Sequence, residues 1–496
     1  MHRRPIGPLA TLAVAGVTTL SACRPAFPGL DDIREQELRS DLFTLAGDGM
    51  RGREAATPDE LRASMWLAQR ARAAGLEPAG EDGTWFQWFG LRRSRVGETT
   101  RIAVGSTPLE LWRDAVVMSP TDASAAGPVM WLGAAAAEDS ARYDVEGRIV
   151  AVEAVSGEPP SQALLASRYF VTRGVRRAAS PWLRRGAAAV LVVADPALDD
   201  FVPRAAAYAR RGRVRLDEGE PSEPSTQAPT VLVPRTVGPS LREPGVRVEI
   251  DVRTDDFTVP SVNVIGRVPG ADPVLRGQVV LFSSHQDHDG VRATVDGDSI
   301  YNGADDNGTT SVALLAIARA FARHPGRRSA LFVWHGAEEK GLYGSQWHSR
   351  HPVVPLDSVV AVLNGDMIGR NAPDTAALLG AIPPHRNSTP LVDMALAANR
   401  EVTGLVVDST WDRLEHPEGW YFRSDHLPYA RLRVPAVFFT TLLHDDYHTQ
   451  FDDPDRIDYA KLTRMTRWMY ATGWLVANAD ERPTIDEGFE LERRGR

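Results

Sequence analysis

The sequence predicts an α/β fold, a three-layer sandwich in which helices cover both faces of a mostly parallel mixed sheet. From about residue 257 onward, short apolar runs rich in β-branched residues alternate with longer helical stretches. Runs that are apolar throughout are typical of parallel strands buried on both faces. Strand–helix alternation of this kind builds a parallel sheet with helices packed against it. The apolar runs are 262–268, 279–284, 330–334 and 359–363, and the helical stretches are 310–322, 391–401 and 459–477.

Residues 110–252 have a different texture. Short Val-rich runs are separated there by loops rich in Ala, Arg, Pro and Glu, which predicts a small β-rich module inserted into the main domain. The segment contains no histidine, and eleven of the chain's 12 histidines lie at or after His285. We therefore expect metal chemistry outside the insert. The predicted division is 31–109 and 253–480 for the main domain, 110–252 for the insert and 481–496 for a C-terminal tail.

The chain begins like an exported protein. A basic start is followed by an apolar stretch and then by Leu20-Ser21-Ala22-Cys23, which predicts a signal peptide over residues 1–22. The last four residues resemble the bacterial lipobox, so we expect acylation of Cys23, with 23–30 as lipid anchor and tether. The alternative is an ordinary cleaved signal with a chance cysteine. The expected location is that of a membrane-anchored bacterial lipoprotein, in the periplasm or at the cell surface, which contacts the membrane through its lipid only.

The bulk composition excludes some classes of function. Hydrophobic residues make up 43% and charged residues 24% of the 496 residues, as in soluble globular proteins. The formal net charge is -9, and no run of Lys and Arg is long enough to form a basic face for nucleic acid. Cys23 is the lone cysteine, which excludes an internal disulfide and a cysteine metal site. We expect no nucleic-acid partner.

Polar residues with metal-binding side chains follow the predicted strands. Strand 279–284 runs into His285, and Asp287 can orient its imidazole from two residues further on. Asp305 lies in a glycine-flanked loop before a helix, where a carboxylate can bridge two ions. Strand 330–334 is followed by the adjacent Glu338 and Glu339, of which one can bind metal while its neighbour faces the substrate.

The remaining candidates are Asp366, after the next strand, and His448, after an apolar run at 434–441. Each position alone is weak, since a strand-end carboxylate is usually a cap or a solvated residue. Together they offer nitrogen and oxygen ligands with one carboxylate to spare, a set that suits two neighbouring ions. Because no thiol is present, zinc, cobalt or manganese fits better than an iron–sulfur cluster.

These segments resemble the bacterial leucyl aminopeptidase and aminopeptidase Y family of zinc exopeptidases, which has glutamate carboxypeptidase II and transferrin receptor among its relatives. The stretch DLFTLAGDGMRGREAATPDELRASMWLAQRARAAGLEP is similar to the opening segment of that family. The insert resembles a protease-associated domain, so the likeness covers nearly the whole mature chain. The matching strings over 255–480 are SSHQDHDG, NGADDNGTTSVALL, WHGAEEKGLYGS, LNGDMIG and DYHTQFDDPDRID.

The resemblance implies two divalent metal ions, and Zn²⁺ is the metal that we expect. His285 and Asp366 would hold one ion, Glu339 and His448 the other, and Asp305 would bridge them. It also implies an aminopeptidase, a metal-dependent hydrolase that removes N-terminal residues from peptides with a free amino terminus.

Further roles follow from the same resemblance. Glu338 would be the general base, and the Asp305–Asp306 peptide bond would be cis. Asp289 departs from the family, because many relatives have an apolar residue at this position. The string Ser424-Asp425-His426 also matches the family, either in a catalytic role or in packing a loop below the site.

Three other functions stay open from the sequence. Glutaminyl cyclase shares the fold but works with one zinc, and the full ligand set favours the hydrolase. A carboxypeptidase or acidic dipeptidase would need an arginine cluster facing a carboxylate, with Arg370 and Arg423 as candidate donors. A cell-surface binding protein would use the insert as its working part.

Overall fold

The computed structural model describes residues 27–134, 137–158, 164–219, 227–295 and 297–492, which form a mixed α/β protein. The predicted signal peptide and Cys23 lie outside the described residues. None of the helices in the described ranges combines the length and the apolar character needed to cross a membrane.

The α-helices of these ranges are α1 (Glu35–Leu45), α2 (Pro58–Ala73), α3 (Leu164–Leu183), α4 (Pro196–Asp199), α5 (Val202–Ala209), α6 (Gly238–Leu241), α7 (Thr310–Arg323), α8 (Tyr343–Arg350), α9 (Thr389–Val402), α10 (His426–Arg431) and α11 (Tyr459–Asn478). The strands are β1 (Glu77–Pro78), β2 (Phe86–Val96), β3 (Arg101–Val104), β4 (Thr107–Pro108), β5 (Val116–Val117), β6 (Ala123–Gly133), β7 (Ile149–Glu153), β8 (Ala189–Val193), β9 (Arg213–Leu216), β10 (Thr230–Val233), β11 (Arg247–Val252), β12 (Thr254–Val268), β13 (Val279–His285), β14 (Gly290–Val295), β15 (Asp298–Tyr301), β16 (Ser329–His335), β17 (Val359–Gly365), β18 (Thr375–Leu379), β19 (Val406–Val407) and β20 (Ala436–Thr440).

The main sheet has the strand order β19-β18-β20-β17-β13-β16-β12-β2-β9, with β1 beside β12. Its centre is parallel, because β13 pairs in parallel with both β16 and β17, and β17 pairs in parallel with β20. Antiparallel strands flank this centre on both sides. The four apolar runs predicted as strands correspond to β12, β13, β16 and β17, so these predictions are confirmed.

Alternate residues of the central strands face two different apolar clusters. Phe282 and Phe332 belong to a cluster with α1, α2, α7, α9 and α11, whereas Leu281 and Leu331 pack with Tyr429 of α10 on the opposite face. Each central strand is therefore buried on both sides, which explains its continuously apolar sequence. A methyl group at Gly473 of α11 would overlap the Phe282 ring, so α11 packs directly on β13.

A second sheet, with strand order β4-β3-β11-β6-β7-β8-β10-β5, starts at Arg101, before the predicted boundary at residue 110. Two structural features differ from the expected β-rich module. The segment also contains α3 to α6, and α3 and α5 pack against the second sheet. One of its strands, β9, joins the main sheet by pairing antiparallel with β2.

Candidate metal centre

The predicted site residues gather at one edge of the main sheet. β13 ends at His285, and Glu338, Glu339 and Asp366 follow the ends of the neighbouring parallel strands. Since β13, β16 and β17 are in register, their carboxyl ends meet, and this edge is where ligands bind in sheets of this kind. His448 reaches the same place from a loop after β20.

Three of these residues form a first group, namely His285, Glu338 and Asp366. The Nε2 atom of His285 lies 3.4 Å from Asp366 Oδ1 and 3.9 Å from Glu338 Oε2. The second oxygen of Asp366 accepts a hydrogen bond of 2.8 Å from the hydroxyl of Ser424. The group is buried, and its ligand atoms lie within 4.8 Å of one another.

A second group contains His288, Asp306, Glu339 and His448. The Nε2 atom of His448 is 3.0 Å from Asp306 Oδ2 and 3.2 Å from Glu339 Oε1. The Nδ1 atom of His288 is 3.0 Å from the same Glu339 oxygen. This group therefore offers two imidazoles and two carboxylates to one point in space.

The carboxylate of Asp306 lies between the two groups. Its Oδ1 atom is 3.2 Å from His285 Nε2 and its Oδ2 atom is 3.0 Å from His448 Nε2. One carboxylate thus presents one oxygen to each group. This is the arrangement that a bridging ligand between two ions needs.

The structure contradicts the expected position of Asp305. Its Oδ1 atom accepts hydrogen bonds from the main-chain N–H of Gly369 at 2.7 Å and from the hydroxyl of Thr309 at 3.0 Å. Its Oδ2 atom is 3.3 Å from His444 Nε2, so the carboxylate points away from both groups. The cis peptide bond is Asp306–Asn307 and not Asp305–Asp306. Both corrections move the predicted features one residue along the same loop.

Asp287 contacts the site differently from the prediction. The main-chain oxygen of Asp287, not its carboxylate, lies 3.1 Å from His285 Nδ1, because the nearer carboxylate oxygen is 3.9 Å away. The carboxylate instead accepts hydrogen bonds from the main-chain N–H groups of Glu338 at 3.0 Å and Glu339 at 3.3 Å. Asp287 therefore orients the imidazole through its backbone and the two glutamates through its side chain.

The donor atoms of both groups fit a bound cation. Among the described residues, the buried Nε2 atoms of His285, His288 and His448 and Oδ1 of Asp366 have no hydrogen-bond partner. Leaving such atoms unsatisfied is costly, and so is packing several carboxylates together. A divalent cation offsets both costs. A set of imidazoles and carboxylates without sulfur is one that zinc accepts readily.

The two adjacent glutamates differ in their acid–base behaviour. Burial raises the pKa of Glu338 well above its usual range, and the charges of Glu339, Asp425 and Asp366 raise it further against the opposing effect of His285. Burial also disfavours the charged form of Glu339, but the charge of His448 and a hydrogen bond with His288 lower its pKa to about 2. Such divergence between neighbours is typical of a proton-transfer group beside a permanently ionised one.

Sequence reasoning missed His288 and the role of Asp289. His288 belongs to the second group, and the only signal for it was the second histidine in the string HQDH. Asp289 places Oδ2 3.0 Å from Nδ1 of His448, and its Oδ1 atom accepts a hydrogen bond from the guanidinium of Arg292. A carboxylate behind a ligating imidazole fixes its orientation and tautomer.

Arg53 was also missed, because nothing in the string MRGRE indicates chemistry. Its side chain is fully buried and donates hydrogen bonds to main-chain carbonyl oxygens only. The acceptors are Gln286 at 2.7 Å, Leu45 at 3.0 Å, Asn302 at 2.6 Å and Gly303 at 2.9 Å. The guanidinium thus joins the loop after β13 to the loop that carries Asp306.

The remaining candidates lie outside both groups. Arg370 pairs with Asp446 at 2.6 Å, and Arg423 lies 4.4 Å above the ring of Trp420. In the string from Ser424 to His426, the serine holds Asp366, and the histidine is buried against Phe438 with its pKa lowered by burial to about 3.

Comparison with known proteins finds similarity to peptidases. The family model of Peptidase family M28 matches residues 263–473, a range that contains every member of the two groups. A probable leucine aminopeptidase of Arthroderma otae is 26% identical over 234 residues, which are 45% of this chain and 58% of that protein. The chain therefore spans less than two thirds of the length of this curated relative.

Solved structures with the same fold cover nearly the whole chain. The aminopeptidase from Aneurinibacillus sp. strain AM-1 is similar with a TM-score of 0.56 and 17% identity, over 92% of this chain and 96% of that one. A zinc aminopeptidase from Bacillus subtilis has a TM-score of 0.57 and 16% identity, over 92% and 99% of the two chains. The protein therefore has the mixed α/β fold of these aminopeptidases.

The role of Arg53 is testable by its effect on stability. We expect Arg53→Ala to lower the free energy of unfolding by at least about 3 kcal/mol, because it leaves several buried carbonyl groups without donors. Arg51→Ala is the matched control, since Arg51 has a similar backbone φ of 52° against 50° but a half-exposed side chain that pairs with Asp59. It should change stability by less than about 0.5 kcal/mol in urea unfolding. Equal effects of the two substitutions would contradict this role.

Proposed function

We propose that this protein is a metal-dependent aminopeptidase, which hydrolyses peptide bonds and removes N-terminal residues from peptides with a free amino terminus. The observation that carries the proposal is the carboxylate of Asp306, which presents one oxygen to each of two groups of potential ligands. The match of residues 263–473 to Peptidase family M28 and the fold of zinc aminopeptidases support it.

The proposed ligands for one ion are His285 and Asp366, and those for the other are Glu339 and His448. Asp306 is the proposed bridge, in place of the Asp305 expected from the sequence. When two divalent ions are bound in such a site, they lower the pKa of a water towards 7 and polarise the scissile carbonyl. Zinc is the proposed metal, because the ligands are imidazoles and carboxylates.

Glu338 is the proposed general base. Its carboxylate belongs to the first group, and the hydrogen bond from its own N–H to Asp287 fixes the backbone that carries it. It takes a proton from the attacking water and delivers that proton to the leaving amine. Its pKa is raised by burial, and such a carboxylate takes up a proton at neutral pH more readily than an exposed one.

The finer classification belongs to the same proposal. Helices on both faces of the main sheet support a three-layer sandwich of the zinc exopeptidase type, within the bacterial leucyl aminopeptidase and aminopeptidase Y family. The separate second sheet supports a protease-associated domain inserted at about 110–252, between 31–109 and 253–480 of the peptidase domain. A glutaminyl cyclase would need one zinc, and the second group around His448 favours the hydrolase.

For the location of the protein we propose export and anchoring through Cys23, which rests on the lipobox-like string alone. Cys23→Ser should remove the acyl groups and shift the protein out of the membrane fraction. Mass spectrometry of the mature N-terminus checks this. A wild-type chain that begins at another residue and carries no lipid would refute the anchor.

Matched substitutions of two neighbouring aspartates test the bridge. Asp306→Asn should reduce the zinc content of the dialysed protein from about two ions per chain to one or fewer, because the bridge serves both ions. Asp305→Asn should keep about two ions, since its carboxylate faces Gly369 and Thr309. Elemental analysis of both variants measures this, and loss of metal from the Asp305 variant alone would restore the assignment made from the sequence.

Substitutions of the neighbours Glu338 and Glu339 distinguish the general base from the metal ligand. Glu338→Gln should retain both ions and lose turnover by roughly 10²–10⁴-fold, as expected when a general base is removed. Glu339→Gln should instead lose metal. The measurements are kcat on a leucine anilide and zinc content of the same samples. Full turnover by the Glu338 variant would rule out its role as base.

The preference for a free amine distinguishes an aminopeptidase from other peptidases. A free amino terminus brings N–H donors to a site that is rich in carboxylates, whereas an acetyl group removes donors and adds bulk. We expect short peptides with a free N-terminus to be shortened one residue at a time, and their N-acetylated forms to resist. Mass spectrometry of the products over time decides this. Release of residues from the carboxyl end would point to a carboxypeptidase with the same metal centre.

A further inference from the structure

A cavity of about 410 Å³ has several arginine side chains in its wall. Three parts of the chain contribute these side chains, namely β2, the segment after α5, and β14. We call it the arginine pocket. Its lining residues are Arg93, Arg95, Ala207, Arg210, Arg211, Val291 and Arg292.

The arginine pocket carries more positive than negative charge. Three of its five guanidinium groups have acidic partners: Arg211 contacts Glu54 at 2.6 Å, Arg95 contacts Asp255 at 3.3 Å, and Arg292 contacts Asp289. Among the described residues, Arg93 and Arg210 form no ion pair, and the buried Nε of Arg93 has no hydrogen-bond partner. A negatively charged ligand would provide an ionic partner for Arg93 and Arg210.

Repulsion within the wall agrees with this view. Burial lowers the pKa of Arg211, and the charge of Arg292 lowers it further. Glu54 reduces this repulsion only in part, because it lies within 4.0 Å of three cations, namely Arg211, Arg292 and Lys340. At Arg292 the charges of Asp289, Glu54 and Glu339 instead outweigh burial and raise the pKa. An anion would therefore act mainly on Arg211, Arg93 and Arg210.

A short stretch of chain connects the arginine pocket to the metal centre. His288 belongs to the second group of potential ligands, and Val291 and Arg292 of the pocket follow it three and four residues later. Four residues span at most about 14 Å, so Arg292 lies within that distance of His288, and a short bound peptide can reach from one to the other. The side chain of Asp289 spans the gap, because one oxygen contacts His448 and the other contacts Arg292.

The chemistry of the wall selects the kind of anion. Guanidinium groups bind carboxylates through two parallel hydrogen bonds, and a peptide near the metal centre carries carboxylates at its C-terminus and on acidic side chains. The volume of the cavity is that of a small ligand site and not of an extended surface.

We propose that the arginine pocket is a substrate subsite, which binds a carboxylate of the peptide whose bond is cut at the neighbouring metal centre. This inference rests on the proposed aminopeptidase function. The carboxylate belongs either to an Asp or Glu side chain or to the C-terminus of a short peptide. The preferred substrates are thus peptides with an acidic side chain in the first case, and dipeptides and tripeptides in the second.

Three pairs of substrates separate the sources of the carboxylate. Glu-anilide against Gln-anilide tests an acidic N-terminal residue, and Leu-Glu-amide against Leu-Gln-amide tests an acidic residue after the cut bond. Leu-Gln against Leu-Gln-amide tests the C-terminal carboxylate. We expect the acid of at least one pair to have a kcat/KM roughly 10-fold or more above its neutral partner, as for a charge-assisted hydrogen bond. Equal values in all three pairs would overturn the proposal.

Variants of neighbouring arginines assign the preference to the pocket. Arg93→Ala should reduce the acid-to-neutral ratio at least about 10-fold, and Arg93→Lys should keep part of it. Arg92→Ala is the matched control, because Arg92 is the next residue of β2 and pairs with Asp256. It should leave the ratio unchanged. The ratio is the readout because a loss of folded protein lowers both rates equally. An unchanged ratio in Arg93→Ala overturns the proposal.

A binding measurement decides the matter even if no peptide is cut. Glutarate should raise the Tm of the wild-type protein by roughly 1 °C at concentrations a few times its Kd, and by roughly 2–3 °C at about a hundred times its Kd, and the neutral glutaramide should not. Arg93→Ala should abolish this rise and Arg92→Ala should keep it. Stabilisation by inorganic phosphate but not by glutarate, or by neither, overturns the carboxylate subsite. If glutarate binds but every peptide resists cleavage, only the aminopeptidase function fails.

Discussion

The buried guanidinium of Arg53 is the interaction on which the site depends. It donates to carbonyl oxygens on both sides of the candidate metal centre, including Gln286 after β13 and Gly303 in the loop that carries Asp306. Burial lowers the pKa of Arg53 to about 10, while the charges of Asp287, Asp452, Asp306 and Glu339 oppose that change. The acidic cluster thus keeps this residue charged, and the residue in return holds the loops that position the cluster.

Sequence alone predicted the central strands and most residues at their ends, because a strand buried on both faces has a recognisable composition and its end is fixed by its length. It failed where the orientation of a side chain depends on contacts with residues elsewhere in the chain. Asp305 and Asp306 are chemically identical neighbours, and hydrogen bonds from Thr309 and Gly369 turn the first away from the ligand groups. Arg53 lies more than two hundred residues from the loop it supports, so no local pattern reveals its role.

The insert was predicted less completely than the main sheet. Helix α3 reads as a loop because arginines interrupt its apolar residues, although Phe170, Val175, Ala179 and Trp182 are all buried in one cluster. Long basic side chains can lie on the exposed face of such a helix, so composition hides the periodicity that burial reveals. Nor does the sequence indicate that Arg210 and Arg211, which follow α5, line the arginine pocket, because this depends on contacts with distant parts of the chain.

The pairing of β9 with β2 joins the segment 110–252 to the main sheet, so this segment is not a separate module. A module that merely interrupts a host can be exchanged as a cassette during evolution or removed by an engineer. Here, excision of residues 110–252 would take away Arg213–Leu216 and leave β2 as an edge strand that pairs with β12 alone, and such an exposed edge invites association between copies. A fragment that keeps the main sheet intact must therefore retain this strand.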